Sequence, residues 1–112
     1  MGTMVGDDGL GNQIGVAPGA RWIAAKGCES NWCSDYALLQ SAQWILAPCP
    51  LGVYPGDPSC DPGRRPQVVN NSWGGGPGQP WYQLSVQAWV AAGIFPAFSN
   101  GNLGPRWCCR GF

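Results

Sequence analysis

The side chains that could perform chemistry in this sequence are its cysteines and a few carboxylates, because histidine is absent. Without histidine the chain lacks the commonest general base and the commonest zinc ligand in proteins. The six cysteines form three spaced pairs: Cys28 and Cys33, Cys49 and Cys60, Cys108 and Cys109. Even numbers of paired cysteines favour disulfides and a secreted origin. We therefore predict a disulfide within each of the first two pairs.

A metal site is the alternative use of the same groups. The cysteine spacing does not match a zinc ribbon, which needs two close Cys-x-x-Cys pairs. The remaining weak candidates for metal ligands are the thiolates of Cys108 and Cys109 with the carboxylates of Asp7 and Asp8. A bound metal ion would supply a nucleophilic hydroxide. This alternative predicts a small accidental hydrolase of activated esters or phosphoesters, which would use a cysteine thiolate or a metal ion.

The composition excludes several classes of partner. Of the 112 residues, 45% are apolar and only 11% charged, and the formal net charge is zero. We expect a single globular domain with an unusually neutral surface. No basic patch is available for nucleic acid or anionic lipid, and no apolar run approaches the length of a membrane span. The first eight residues do not read as a signal peptide, so the cellular location stays open.

The elements that must position the candidate groups are short, because 18 glycines and 11 prolines punctuate the chain. Residues 21–26 are an apolar run that predicts a buried strand. An apolar stripe then predicts a helix capped by Ser34 or Asp35 and ended by Pro48. Residues 48–66 form a loop whose length calls for a function or a staple, and the Cys49–Cys60 pair would be that staple.

The second half of the chain predicts a strand, a helix and another strand. Residues 67–73 read as the first of these strands, and Pro80 suits the first turn of the helix. The apolar face of that helix would contain Trp81, Leu84, Ala88 and Ala91. Gly93 fits its C-terminal end, and residues 94–98 form the last strand. Pro96 conflicts with a central strand because proline cannot donate to the ladder. The alternation predicts an α/β fold with parallel strands and right-handed crossovers.

Three segments have a family-like sequence: GVAPGA at residues 15–20, NNSWGG at residues 70–75 and FSNGN at residues 98–102. Together with GTMVG at residues 2–6, their order and spacing resemble the subtilase family of serine proteases over residues 1–105. Residues 106–112 depart from the family pattern. The resemblance implies that the catalytic Asp and His lie upstream of Met1 and the catalytic Ser beyond the C-terminus. We therefore expect a truncated subtilase-like domain, residues 1–112, without a catalytic triad.

The resemblance also implies which parts of the family's substrate-binding site this chain contains. Asn102 corresponds to the oxyanion-hole asparagine, whose amide would donate to a developing oxyanion. Six further residues correspond to two walls of the substrate cleft: Ser72, Trp73 and Gly74 in the strand that pairs with the substrate backbone, and Ser99, Asn100 and Gly101 in the opposite wall of the specificity pocket. Asn100 replaces the small alanine usual there. At most, a peptide-like ligand would bind.

The implied fold is a three-layer βαβαβ fragment of the subtilase parallel sheet. In the family, the strand with the catalytic Asp lies between those matching residues 21–26 and 67–73. Its absence would leave two edges with unpaired backbone groups, each costing about 1–3 kcal/mol when buried. We therefore expect the sheet to rearrange or to be completed by oligomerisation. A homo-oligomer with residues 21–26 or 94–98 near the contact is the predicted form, because exposed edges recruit further strands.

Overall fold

The structure is a computed structural model that describes residues 1–74 and 80–101. Its helices are α1 (Gly2–Val5), α2 (Asp35–Leu46) and α3 (Gln83–Ala91), and its strands are β1 (Val68–Asn71) and β2 (Phe95–Phe98). Short 3₁₀ turns at Pro62–Arg64 and Pro80–Tyr82 precede β1 and α3. Mixed helix and parallel strand confirm the α/β class. No helix in these described ranges has the length and apolar character needed to span a bilayer.

Helix α2 begins where the sequence predicts. The Oγ of Ser34 accepts a hydrogen bond from the backbone N–H of Ala37 at 3.1 Å, which satisfies one of the donors left free at a helix start. The cap is therefore Ser34 and not Asp35. Leu38 and Ala42 lie on the buried side of the helix, as the apolar stripe predicts.

Strands β1 and β2 pair in parallel, with Val68 opposite Phe95 and Asn71 opposite Phe98. The N–H of Phe95 donates to the carbonyl of Gln67 at 2.8 Å. Backbone groups alternate between the two sides of a strand, so the nitrogen of Pro96 points to the outer edge of β2. The proline therefore costs no hydrogen bond in this pair, which removes the conflict seen in the sequence.

The predicted strand at residues 21–26 is wrong. The segment has no regular secondary structure, and every residue in it is exposed, including Trp22 at 62% and Ile23 at 46%. A strand is stabilised by the hydrogen bonds of a neighbour, and β1 and β2 form a sheet of two strands in the described part of the chain. Residues 21–26 therefore stay outside the sheet, and the βαβαβ prediction reduces to a βαβ unit preceded by α2.

The core lies where α2 and α3 meet β1. Trp89 is fully buried, and its indole N–H donates to the carbonyl of Ala42 at 3.0 Å. Tyr82 is 1% exposed, and its hydroxyl donates to the carbonyl of Leu38 at 3.5 Å. Burial raises the pKa of Tyr82 well above its ordinary value. Two aromatic side chains thus join α3 and the turn before it to the backbone of α2.

The buried face of α3 differs from the predicted one. Leu84 is 77% exposed, whereas Trp89 points into the core. Gly93 has φ of +79° just after the helix, a conformation that favours glycine and matches its predicted role at the helix end.

Helices cover one face of the β1–β2 pair, which contains Val69 and Asn71, while Val68 and Phe95 on the other face are exposed. The described part of the chain thus has two layers and not the predicted three.

Candidate functional site

The two predicted walls of the substrate cleft lie side by side at one end of the sheet. Ser72, Trp73 and Gly74 follow β1 directly, and residues 99–101 follow β2 directly. Because the strands are parallel, their carboxyl ends meet at the same edge, which is where open α/β sheets bind ligands. Trp73 is half-buried, and the other five wall residues are exposed.

Ser99 makes one hydrogen bond to the end of β1 and one to the wall that follows it. Its backbone N–H donates to the carbonyl of Asn71 at 3.0 Å, and its Oγ donates to the carbonyl of Trp73 at 3.1 Å. The first bond extends the ladder one residue beyond β2. The second bond holds the wall after β1 at a fixed separation from the wall after β2.

Asn71 is the buried polar residue of this end, at 4% exposure, and it is not among the predicted site residues. Its Nδ2 donates to the carbonyl of Ala97 at 3.2 Å, and its Oδ1 accepts from the indole N–H of Trp73 at 3.2 Å. Both ends of the amide are therefore used, as a buried polar group requires. The sequence feature that could have indicated Asn71 is its amide side chain at an inward-facing position of a predicted strand, where apolar residues are usual.

The indole of Trp73 belongs to a cluster of rings behind the walls. It contacts Tyr82 edge-on, with ring centroids 4.8 Å apart, and Phe98 in the same way at 5.9 Å. Its ring also lies 6.1 Å from that of Trp81. Edge-to-face pairs at these distances are favourable beyond the area they bury. The cluster fixes the wall after β1 to the 3₁₀ turn before α3 and to β2.

The six predicted wall residues include no acidic or basic side chain. Among the described residues, no atom lies within 4 Å of the place where a Cβ of Gly74 would stand, which leaves room there for a backbone to approach. Gly101, the last residue of the opposite wall, has φ of +75°, a region that favours glycine. The predicted oxyanion residue Asn102 lies outside the described residues.

Of the predicted metal ligands, Asp7 and Asp8 lie within the described residues, and each accepts a hydrogen bond from a nearby backbone N–H. Oδ1 of Asp7 accepts the N–H of Gly9, and Oδ1 of Asp8 accepts the N–H of Leu10 at 2.8 Å. The Leu10 N–H is the main reason why the pKa of Asp8 is lowered. Across residues 1–74 and 80–101, no three His, Cys, Asp or Glu residues are grouped closely enough to hold a metal ion. Cys108 and Cys109 lie outside the described residues.

Both predicted disulfides, Cys28–Cys33 and Cys49–Cys60, are present in the structure. The second one closes the long loop, whose ends are also joined by the N–H of Asp61 donating to the carbonyl of Pro48 at 3.0 Å. Inside the loop, the side chain and backbone of Ser59 donate to Asp57 and lower the pKa of its carboxyl. The loop is therefore a stapled, internally bonded unit.

Comparison with known proteins gives two positive results. The model of the subtilase family matches residues 1–107. Bacillopeptidase F of Bacillus subtilis (strain 168) is 52% identical over 103 residues, which are 90% of this chain but 7% of that protein. The chain thus spans a small part of the length of this relative. No solved structure gives a significant match.

Proposed function

This chain belongs to the subtilase family, and from that premise we propose that it is a family fragment that binds extended peptides without cleaving them. The single observation that supports peptide binding best is the bond from Ser99 Oγ to the Trp73 carbonyl. That bond joins the two wall segments at the carboxyl ends of β1 and β2. An extended peptide would add to the wall at Ser72–Gly74 by main-chain hydrogen bonds, as in other strand-addition complexes.

The expected lack of cleavage follows from the side chains available. The 112 residues contain no histidine, so a serine or cysteine nucleophile here has no imidazole base. Removing the triad from a subtilisin costs about a million-fold in kcat. The energy of peptide binding would come from hydrogen bonds to the peptide backbone and from apolar contacts near Trp73, because no charged group lies in the walls.

Binding can be tested with peptides N-methylated at one backbone position at a time. In an extended peptide alternate N–H groups face the wall, so methylation should weaken binding at every second position and leave the positions between unchanged. Each lost bond corresponds to about 0.5–1.5 kcal/mol, or roughly a twofold to tenfold weaker Kd. Fluorescence anisotropy of labelled peptides gives these Kd values. A dependence without this period of two would contradict strand addition.

A pair of variants separates the wall from the rest of the surface. Gly74→Pro removes a backbone N–H from the wall and should weaken binding, whereas Ser72→Ala leaves the backbone intact and should not. Cleavage is followed by mass spectrometry of the same peptides. Hydrolysis at ordinary protease rates, stopped by a serine-directed phosphonate that labels this chain, would overturn the non-catalytic part of the proposal.

A further inference from the structure

A second concave surface lies away from the substrate walls, and none of the six wall residues lines it. It is a groove of about 540 Å³ between residues 24–26, one side of α2, and the first turns of the stapled loop at residues 49–55. Its volume falls in the range of ligand sites, roughly 300–1,000 Å³. The Cys49–Cys60 disulfide and the bond from the Asp61 N–H to the Pro48 carbonyl hold the loop side of this groove in place.

Aromatic rings dominate the groove. Tyr36 and Trp44 are two turns apart on the same side of α2, and Tyr54 faces them from the loop. Tyr36 is 69% exposed and Tyr54 is 76% exposed, and in the described chain none of these three rings stacks on another ring. The indole N–H of Trp44 donates to the carbonyl of Cys49 at 3.2 Å, so this ring is fixed against the loop.

The polar side chains of the groove include several groups that can donate a hydrogen bond. The hydroxyls of Tyr36 and Tyr54 and the amide of Gln40 have no hydrogen-bond partner among the described residues. Lys26 is the one charged residue among those that line the groove. Its ammonium pairs with the carboxylate of Glu29 at 3.0 Å, but both side chains are well exposed. Exposed ion pairs contribute little to stability, so Lys26 can exchange Glu29 for a carboxylate of a ligand. A matching ligand would offer carbonyl acceptors, apolar rings and a negative charge.

We propose that this groove binds a proline-rich peptide segment flanked by acidic residues. Polyproline II helices present free carbonyls and rigid pyrrolidine rings, and aromatic-lined grooves recognise them in this way. Tyr36 and Trp44 are eight residues apart, which is about 12 Å along a helix and equals about four residues of polyproline II. The acidic flank pairs with Lys26. This site is independent of the proposed cleft between the walls.

The experiment is an anisotropy titration of the full chain with a fluorescein-labelled peptide of six prolines between two pairs of glutamates. Two comparison peptides keep the length, one with glycine and serine in place of the prolines and one with lysine in place of the glutamates. The proline-rich acidic peptide should bind at least about tenfold more tightly than the glycine–serine peptide, because its bound conformation is preformed. Equal binding of these two would overturn the proposal.

Variants locate the binding in the groove. Tyr36→Ala and Tyr54→Ala should each weaken binding by roughly tenfold, as loss of an aromatic anchor does. The control Trp32→Ala removes an aromatic residue that is 64% exposed outside the groove and should change nothing. Binding that the tyrosine variants leave intact would place the peptide elsewhere and contradict the assignment.

A charge exchange tests the pairing of the acidic flank with Lys26. Lys26→Glu should weaken the glutamate-flanked peptide several-fold and strengthen the lysine-flanked one, with both effects reduced at high salt. Self-association of the chain that Tyr54→Ala abolishes would instead assign the groove to the proline-rich loop of a second copy, and the proposal would fail.

Discussion

At the scale of single residues, the adjacent asparagines of β1 have opposite environments. Asn71 is buried and bonds to Trp73 and Ala97, whereas Asn70 is exposed and bonds to Ser72 Oγ. We expect Asn71→Ala to lower the free energy of unfolding by about 1–3 kcal/mol, because the partly buried Ala97 carbonyl and Trp73 indole N–H each lose this partner. Urea denaturation measures this, and Asn70→Ala is the matched control, expected within about 0.5 kcal/mol of the parent. Equal losses in both variants would contradict the assignment.

Tyr82 gives a prediction for alkaline solution. Burial raises its pKa in the folded chain above the ordinary 10.0, so folding stabilises the neutral phenol. This contribution is complete below pH 10.0 and is lost as the pH rises further, because only the unfolded chain then ionises readily. Urea unfolding between pH 8 and 11 should show stability falling less steeply in Tyr82→Phe than in the parent. Identical slopes would mean that Tyr82 ionises equally in both states.

At the scale of elements, the Cys49–Cys60 disulfide should stabilise the fold more than Cys28–Cys33 does. Its cysteines are 11 residues apart and those of the other pair are 5 apart, and a longer closed loop restricts the unfolded chain more. Replacing both Cys49 and Cys60 by alanine should cost about 2–3 kcal/mol. The same change at Cys28 and Cys33 should cost roughly 0.5–1 kcal/mol less. Thermal unfolding of the two double variants measures both losses of stability. A larger loss from removing Cys28–Cys33 than from removing Cys49–Cys60 would contradict the prediction.

Local signals in the sequence predicted the elements that depend on local chemistry. Ser34 caps α2 because its hydroxyl reaches an N–H three residues ahead, and Gly93 ends α3 because the turn needs a positive φ. The prediction of a strand at residues 21–26 was wrong because a strand needs a neighbouring strand to pair with, and a short sequence window does not show whether one is available. The prediction of the buried face of α3 was wrong because apolar residues lie on most sides of this helix. Spacing alone therefore could not select Trp89 over Leu84 as the buried residue.

The two walls were predicted by resemblance alone, and their proximity follows from parallel pairing. What the sequence did not indicate is the set of contacts that holds them: the Ser99 hydroxyl, the Asn71 amide and the ring of Trp73. These contacts join residues up to 26 positions apart. No periodicity within a short segment reports such partners, so they required the folded chain.

At the scale of the whole molecule, we propose that the chain associates through the outer edge of β1. The backbone groups of Val68 and Asn70 point to that edge, where no strand pairs with them in the described part of the chain. The outer edge of β2 is less suited because it contains Pro96. The exposed residues 21–26 of a second copy have the apolar side chains that a docking strand needs, and the low surface charge does not oppose association.

Light scattering at tens of micromolar tests this proposal. The parent should be a dimer or larger, and Val68→Lys should shift it towards the monomer, because a charge on an edge strand opposes pairing. Val16→Lys adds the same charge at another exposed position and is the matched control, expected to leave the size unchanged. A monomeric parent chain would refute the proposal.

The positions of the basic residues, together with the bonds between α2 and α3, determine what trypsin would do to this fold. The six lysines and arginines lie at residues 21, 26, 64, 65, 106 and 110, so no tryptic site falls within α2, β1, α3 or β2. Cleavage in the exposed segments at Lys26 and Arg64 would divide the chain into one piece that contains α2 and both disulfides and another that contains the βαβ unit. The buried bonds from Trp89 to Ala42 and from Tyr82 to Leu38 run between these two pieces. The digest should therefore elute as one non-covalent complex, a natural pair of complementing fragments that separate in denaturant and reassemble when it is removed.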